Sequence, residues 1–63
     1  MDERDVKIIL ALADNNMNIS QTANSVFMHR NTVLYHIMKI YKATGLDATK
    51  FYDLCELVKK VKK

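Results

Sequence analysis

One glycine and no proline in 63 residues leave this chain few ways to turn sharply, and that most constrains what it can fold into. Strand-rich domains need turn residues at intervals of about 8–12 positions, which this sequence does not supply. Apolar residues instead recur three and four apart, the spacing of helices that bury one side. The expected fold is all-α, a four-helix compact domain with helices at about 2–15, 20–27, 30–44 and 49–62.

In the first segment Val6, Ile9, Leu10 and Ala13 form an apolar stripe, and acids in the first turn complement the helix dipole. Asp14, Asn15 and Asn16 make a stop. Ser20 is the expected N-cap of a short second helix that turns Ala23, Val26 and Phe27 inward. The third helix carries Val33, Ile37, Ile40, Tyr41 and Thr44 on one stripe. Gly45 follows where a left-handed residue commonly ends a helix, and Leu46 can fold back over that end. Phe51, Leu54, Leu57, Val58 and Val61 form the apolar side of the fourth, capped by Asp47 or Thr49.

Size and composition narrow the function. The chain is one domain, residues 1–63, and a domain this small buries only about 60% of the surface its unfolded chain exposes. That allows one helical core but not a core plus an enclosed substrate pocket. Paired carboxylates, a nucleophile with its base, and a phosphate-cradling glycine loop are all missing from the sequence, so an enzyme is not expected. Cys55 is the only cysteine, reads as a half-buried apolar residue, and allows no internal disulfide or thiolate cage. The two histidines stand seven apart without a neighbouring Cys or carboxylate, so neither a metal nor a cofactor is expected. No apolar run approaches the roughly 18 residues of a membrane span, and the simplest location is a reducing cytoplasm.

The net charge of +3 is unevenly placed. Asp2, Glu3, Asp5 and Asp14 crowd the first helix, whereas residues 29–44 hold Arg30, Lys39 and Lys42 with no acid, and lysines close the chain. Such asymmetry suits a polyanion, although a lysine-rich end is equally a solvated helix terminus.

Residues 20–37 read SQTANSVFMHRNTVLYHI. A helix-turn-helix needs a small residue where its helices cross, an apolar residue closing the angle, a plug in the turn, and anchors on the second helix. Ala23, Val26, Met28, and the pair Val33 and Ile37 fill those roles, with Ala23 and Val33 ten apart. Phe27 stands where glycine is usual, which implies either a turn without a left-handed residue or a strained one.

The third helix is then the recognition helix, laid in the major groove of duplex DNA. Arg30 and Asn31 occupy the N-terminal turn that reaches base edges, with chemistry suited to guanine and adenine. Lys39 and Lys42 fall near phosphate, and Ser20, Gln21 and Thr22 can grip the backbone from the preceding helix. His29 is either a turn cap or a base reader, and Thr32 either bonds locally or touches DNA. Tyr35 either meets DNA or caps the core edge, and His36 is read as a surface side chain able to reach phosphate. Leu34 and Met38 either face DNA or pack under the fourth helix. In the second case the domain is a protein-interaction or dimerisation module using those residues and the fourth-helix surface.

The segments Asn15 to Ala23 (NNMNISQTA), Phe27 to Val33 (FMHRNTV) and Thr44 to Asp47 (TGLD) together resemble the C-terminal helix-turn-helix domain of the PucR family, which includes purine catabolism and sugar diacid regulators. The resemblance runs from about Ile8 to Leu57. It implies a Fis-like fold, a bacterial transcription regulator, and a recognition helix opened by His29, Arg30, Asn31 and Thr32. It also implies a domain from the end of a longer, sensory chain, with a free-standing small protein as the alternative; a homodimer or higher oligomer is expected for the full-length protein, with no small-molecule ligand in this domain. The family usually carries arginine after the tyrosine, where this chain has His36.

Overall fold

A computed structural model of the chain describes residues 1–62, which form four α-helices and no strand. Helix α1 spans Glu3–Asp14, α2 Ile19–Ser25, α3 Arg30–Thr44 and α4 Phe51–Val61. The all-α expectation holds, and the third helix has the expected limits.

Helix α1 begins with a reciprocal cap. The Asp5 amide donates to Asp2 Oδ1 at 2.9 Å, and the Asp2 amide donates to Asp5 Oδ2 at 3.2 Å. Two otherwise orphaned first-turn donors are thereby satisfied. The helix ends as the sequence predicts, with Asn16 and Met17 turning through positive φ. Asn15 pins the next helix to this corner, its amide nitrogen reaching the Ala11 carbonyl at 2.8 Å and Ser25 Oγ at 3.1 Å.

The buried side of α1 differs from the expected stripe. Asp5, Ile8, Ile9 and Leu12 are buried, Val6 and Leu10 only half so, and Ala13 is exposed. The helix is turned by one residue, about 100°, because Asp5 takes a core position. The N-cap of α2 is Asn18, not Ser20, with Asn18 Oδ1 accepting from the Gln21 amide at 2.9 Å. Lys50 precedes α4 without a side-chain cap; Asp47 Oδ1 is bonded to the Thr49 amide and hydroxyl instead. That Thr49 hydroxyl lowers the Asp47 pKa.

Helix α1 is the hub. Helices α2, α3 and α4 all pack on it and α2 packs on α3, whereas no Cα of α4 comes within 8 Å of one in α2 or α3. Ile8, Ile9 and Leu12 meet Ala23, Val33, Ile37, Ile40, Ala48, Leu54 and Leu57 in a continuous core. Each fully buried Ile or Leu contributes about 1.5–3 kcal/mol. Two expected core members stay outside: Tyr41 is 54% and Phe51 60% exposed. Gly45 takes φ 76° and its amide closes on the Tyr41 carbonyl at 2.8 Å, the left-handed end the sequence predicts, with Leu46 folded partly onto the core.

Candidate nucleic-acid interface

Helices α2 and α3 and the turn between them make the helix-turn-helix. Ala23 is 5% exposed at the crossing, and Val26 and Met28 pack partly buried against the core. The Met28 amide closes the turn on the Ala23 carbonyl at 3.0 Å. Phe27 resolves the question left by the missing glycine: it is strained. Its φ is 57° and its ring is 96% exposed, so it is not the inward residue expected of α2. A side chain in that region costs roughly 1–2 kcal/mol, here with no burial to offset it.

His29 is the N-cap of α3. Its Nδ1 accepts from the Asn31 amide at 3.0 Å, so the capping role expected for it is present and Nε2–H is the donor left to face outward. Arg30, Asn31 and Thr32 follow in the first turn, all exposed. Among the described residues neither the Arg30 guanidinium nor the Asn31 carboxamide has an intramolecular hydrogen bond or ion pair. With Val33, His36, Ile37 and Ile40 buried, the helical period sets Asn31, Tyr35, Met38 and Lys42 directly outward and Leu34 beside them. Tyr35 is 60% exposed, and Lys42 is open on the same side. Ser20 and Gln21 are exposed at the start of α2.

Two of the expected contact residues are not at the surface. Thr22 is fully buried, and its hydroxyl has no partner. His36 is not a surface histidine; it is 5% exposed, and Nδ1 donates to Asp5 Oδ1 at 2.7 Å. The sequence did not expose this pair because its members lie 31 residues apart and each looks solvated by composition.

Lys39 belongs to the same cluster. Its ammonium lies 3.0 Å from Asp2 Oδ2 and 3.6 Å from Asp5 Oδ2. The Asp5 amide and then Lys39 hold the Asp2 carboxyl down at about 2, and the bond to Asp2 raises the Lys39 pKa. The fold thus gives His36 the carboxylate neighbours that sequence spacing denied it, with ligand atoms of Asp2, Asp5 and His36 within 4.8 Å of one another. Every carboxylate oxygen of that group already accepts from an amide, imidazole or ammonium donor. The arrangement is a polar clamp between α1 and α3, and it draws Lys39 toward α1.

The family model of the PucR C-terminal helix-turn-helix domain matches residues 6–60 of the chain. No curated protein and no solved structure matches it.

Proposed function

The chain belongs to the PucR C-terminal helix-turn-helix domain family, and on that premise we propose that it binds duplex DNA sequence-specifically, with α3 in the major groove, as the DNA-binding domain of a bacterial transcription regulator. The carrying observation is the first turn of α3. Arg30 and Asn31 present unpaired side chains at the end of a helix whose opposite side is anchored in the core. Arginine and asparagine there can bond bidentately to guanine and adenine. Lys42 and His29 suit phosphate, with Ser20 and Gln21 contacting the backbone from α2 and Thr32 from the start of α3.

Lysine contacts to phosphate on this surface reduce to Lys42, since Lys39 is held by Asp2 and Asp5. One module covers roughly 600–1,000 Å² of its own surface, so two copies on half-sites about 34 Å apart are needed for firm binding. No helix of the described residues is long and apolar enough to cross a membrane; the reading places the domain in the cytoplasm with its DNA.

A second reading, protein interaction, draws on the exposed Leu34, Met38 and Tyr41 and on a groove of about 450 Å³ between α1 and α4, lined by Met17, Phe51, Leu54, Cys55 and Val58 among others. An NMR titration with random duplex DNA at 50 and 200 mM salt separates the two. Shifts at residues 29–42 that fade with salt, and vanish in Arg30→Ala/Asn31→Ala, support DNA binding. Shifts that ignore both changes, or self-association lost in that variant, favour the partner reading.

A further inference from the structure

We propose that Leu34 and Met38 read the 5-methyl groups of thymine, so that the preferred half-site carries thymines close to the purine bonded by Asn31 or Arg30. The inference rests on the DNA-binding reading above and specifies the chemistry its site takes.

The outward side of α3 is apolar where a base-reading helix commonly carries donors. Leu34 is 41% and Met38 55% exposed, four residues apart on one side of the helix. They border a shallow open groove with Tyr41 and the loop residues Asp47, Thr49 and Lys50, and no Cα of α4 comes within 8 Å of one in α3. The nearest cation on the next turn, Lys39, is turned to Asp2 and Asp5. Between Asn31 and Lys42, only the Tyr35 hydroxyl is left on the outward side to hydrogen-bond a base edge.

An aliphatic side chain laid along the major groove meets one apolar feature on the base edges, the C5-methyl of thymine. The spacing fits such contacts. Leu34 lies three residues beyond Asn31, about 4.5 Å along the helix axis, and Met38 about 6 Å further. Base pairs rise 3.4 Å each, so the Leu34 contact falls within one or two pairs of the Asn31 contact and the Met38 contact about two pairs beyond. Leucine, with few rotamers, imposes the stricter preference. Methionine, with three rotatable bonds, tolerates displacement of its methyl partner.

The test begins with selection of sites, from a random duplex pool, for two copies of the 63-residue chain joined by a flexible linker, since one copy alone binds weakly. Each thymine of a selected site is then replaced singly by deoxyuridine, which removes the methyl and leaves every hydrogen-bonding group in place. Affinity should fall about three- to tenfold at one or two positions, the scale of one methyl withdrawn from a partly buried contact. Leu34→Ala should abolish the thymine–uracil difference at one position and Met38→Ala at another. Arg30→Ala should weaken binding to both duplexes alike and leave their ratio unchanged. Both leucine and methionine are exposed, so these variants keep the fold.

Tight binding of a selected site with a thymine–uracil ratio near one throughout would overturn the inference and assign the apolar row to a protein partner, while DNA binding stands. A ratio unchanged by Leu34→Ala and Met38→Ala would overturn it as well. Failure to bind any unmodified duplex would overturn the DNA-binding reading itself.

Discussion

Replacing Asp5 by alanine withdraws one half of a buried, directional contact and leaves His36, 5% exposed, facing a void. Removing one partner of such a bond costs about 1–3 kcal/mol, because the remaining polar group loses its partner without regaining water. A domain of 63 residues, at roughly 0.05–0.15 kcal/mol per residue, has only about 3–9 kcal/mol of stability in total. Asp5→Ala should therefore lose a substantial share of its stability at 25 °C. The double variant Asp5→Leu/His36→Leu should behave differently. Exchanging a whole buried pair for apolar residues is often neutral or stabilising by 1–4 kcal/mol, and both positions adjoin the apolar core. The single changes Asp5→Leu and His36→Leu should be non-additive by about 1–3 kcal/mol in urea unfolding followed by ellipticity at 222 nm. Asp5→Asn, keeping shape and one acceptor, supplies an intermediate if the alanine variant fails to fold. The reasoning fails if Asp5→Ala costs less than about 1 kcal/mol, or if the double variant loses the sum of its singles.

Phe27→Gly should stabilise the domain by about 0.5–1 kcal/mol, since it relieves the strain at φ 57° while adding some unfolded-state entropy. In a domain this small the melting temperature should rise by about 2–8 °C, and a fall would show that the exposed ring has a contact of its own. Thr22→Val should leave DNA binding unchanged and stability equal or up to about 1 kcal/mol higher, because the buried hydroxyl has no partner to lose. Weakened DNA binding by the folded valine variant would restore Thr22 to the interface. Acid should loosen the start of α1 late: the Asp2 carboxyl sits at about 2 rather than its usual 3.8, so its stabilisation is complete above about pH 4 and is lost as pH falls through about 2. The Asp5 amide shift should titrate with that midpoint and stop titrating in Asp2→Ala, whereas a midpoint near 3.8 would deny the cap.

Local chemistry made α3 legible. Its limits follow from polar residues at the start and Gly45 at the end, and its anchors Val33, Ile37 and Ile40 are spaced for one face. The same logic failed on α1, where residues 8–13 are apolar without interruption and admit several phases. The deciding residue is Asp5, a carboxylate that any hydropathy pattern assigns to solvent. Only its partner on α3 explains its burial. Short-range capping also misled: Ser20 and Asn18 both suit an N-cap, and the choice followed from where the Asn16–Met17 corner delivers the chain. Exposure of Tyr41 and Phe51 was not legible either, since it depends on α4 packing on α1 rather than across α3.

The placement of α4 on α1 leaves α3 to be oriented by other contacts. With no Cα of α4 within 8 Å of it, α3 packs its backbone against α1 and α2 and shares only the side-chain core with Leu54 and Leu57 of α4. Its apolar contacts fix distance well but rotation poorly, because hydrophobic attraction has no direction. A rotation of one residue's worth, 100°, would turn Asn31 from the outward line toward the side of the helix. The 2.7 Å bond from His36 to Asp5 has direction, lies midway along α3, and is excluded from water. Lys39 extends the clamp one turn on, to the cap of α1. Lys39 thus helps to align the helix that carries Arg30 and Asn31, and its charge is taken up by Asp2 and Asp5 rather than left free on the outward side. On the proposed DNA-binding reading, that balance suits a module that discriminates through base edges and gains affinity by pairing.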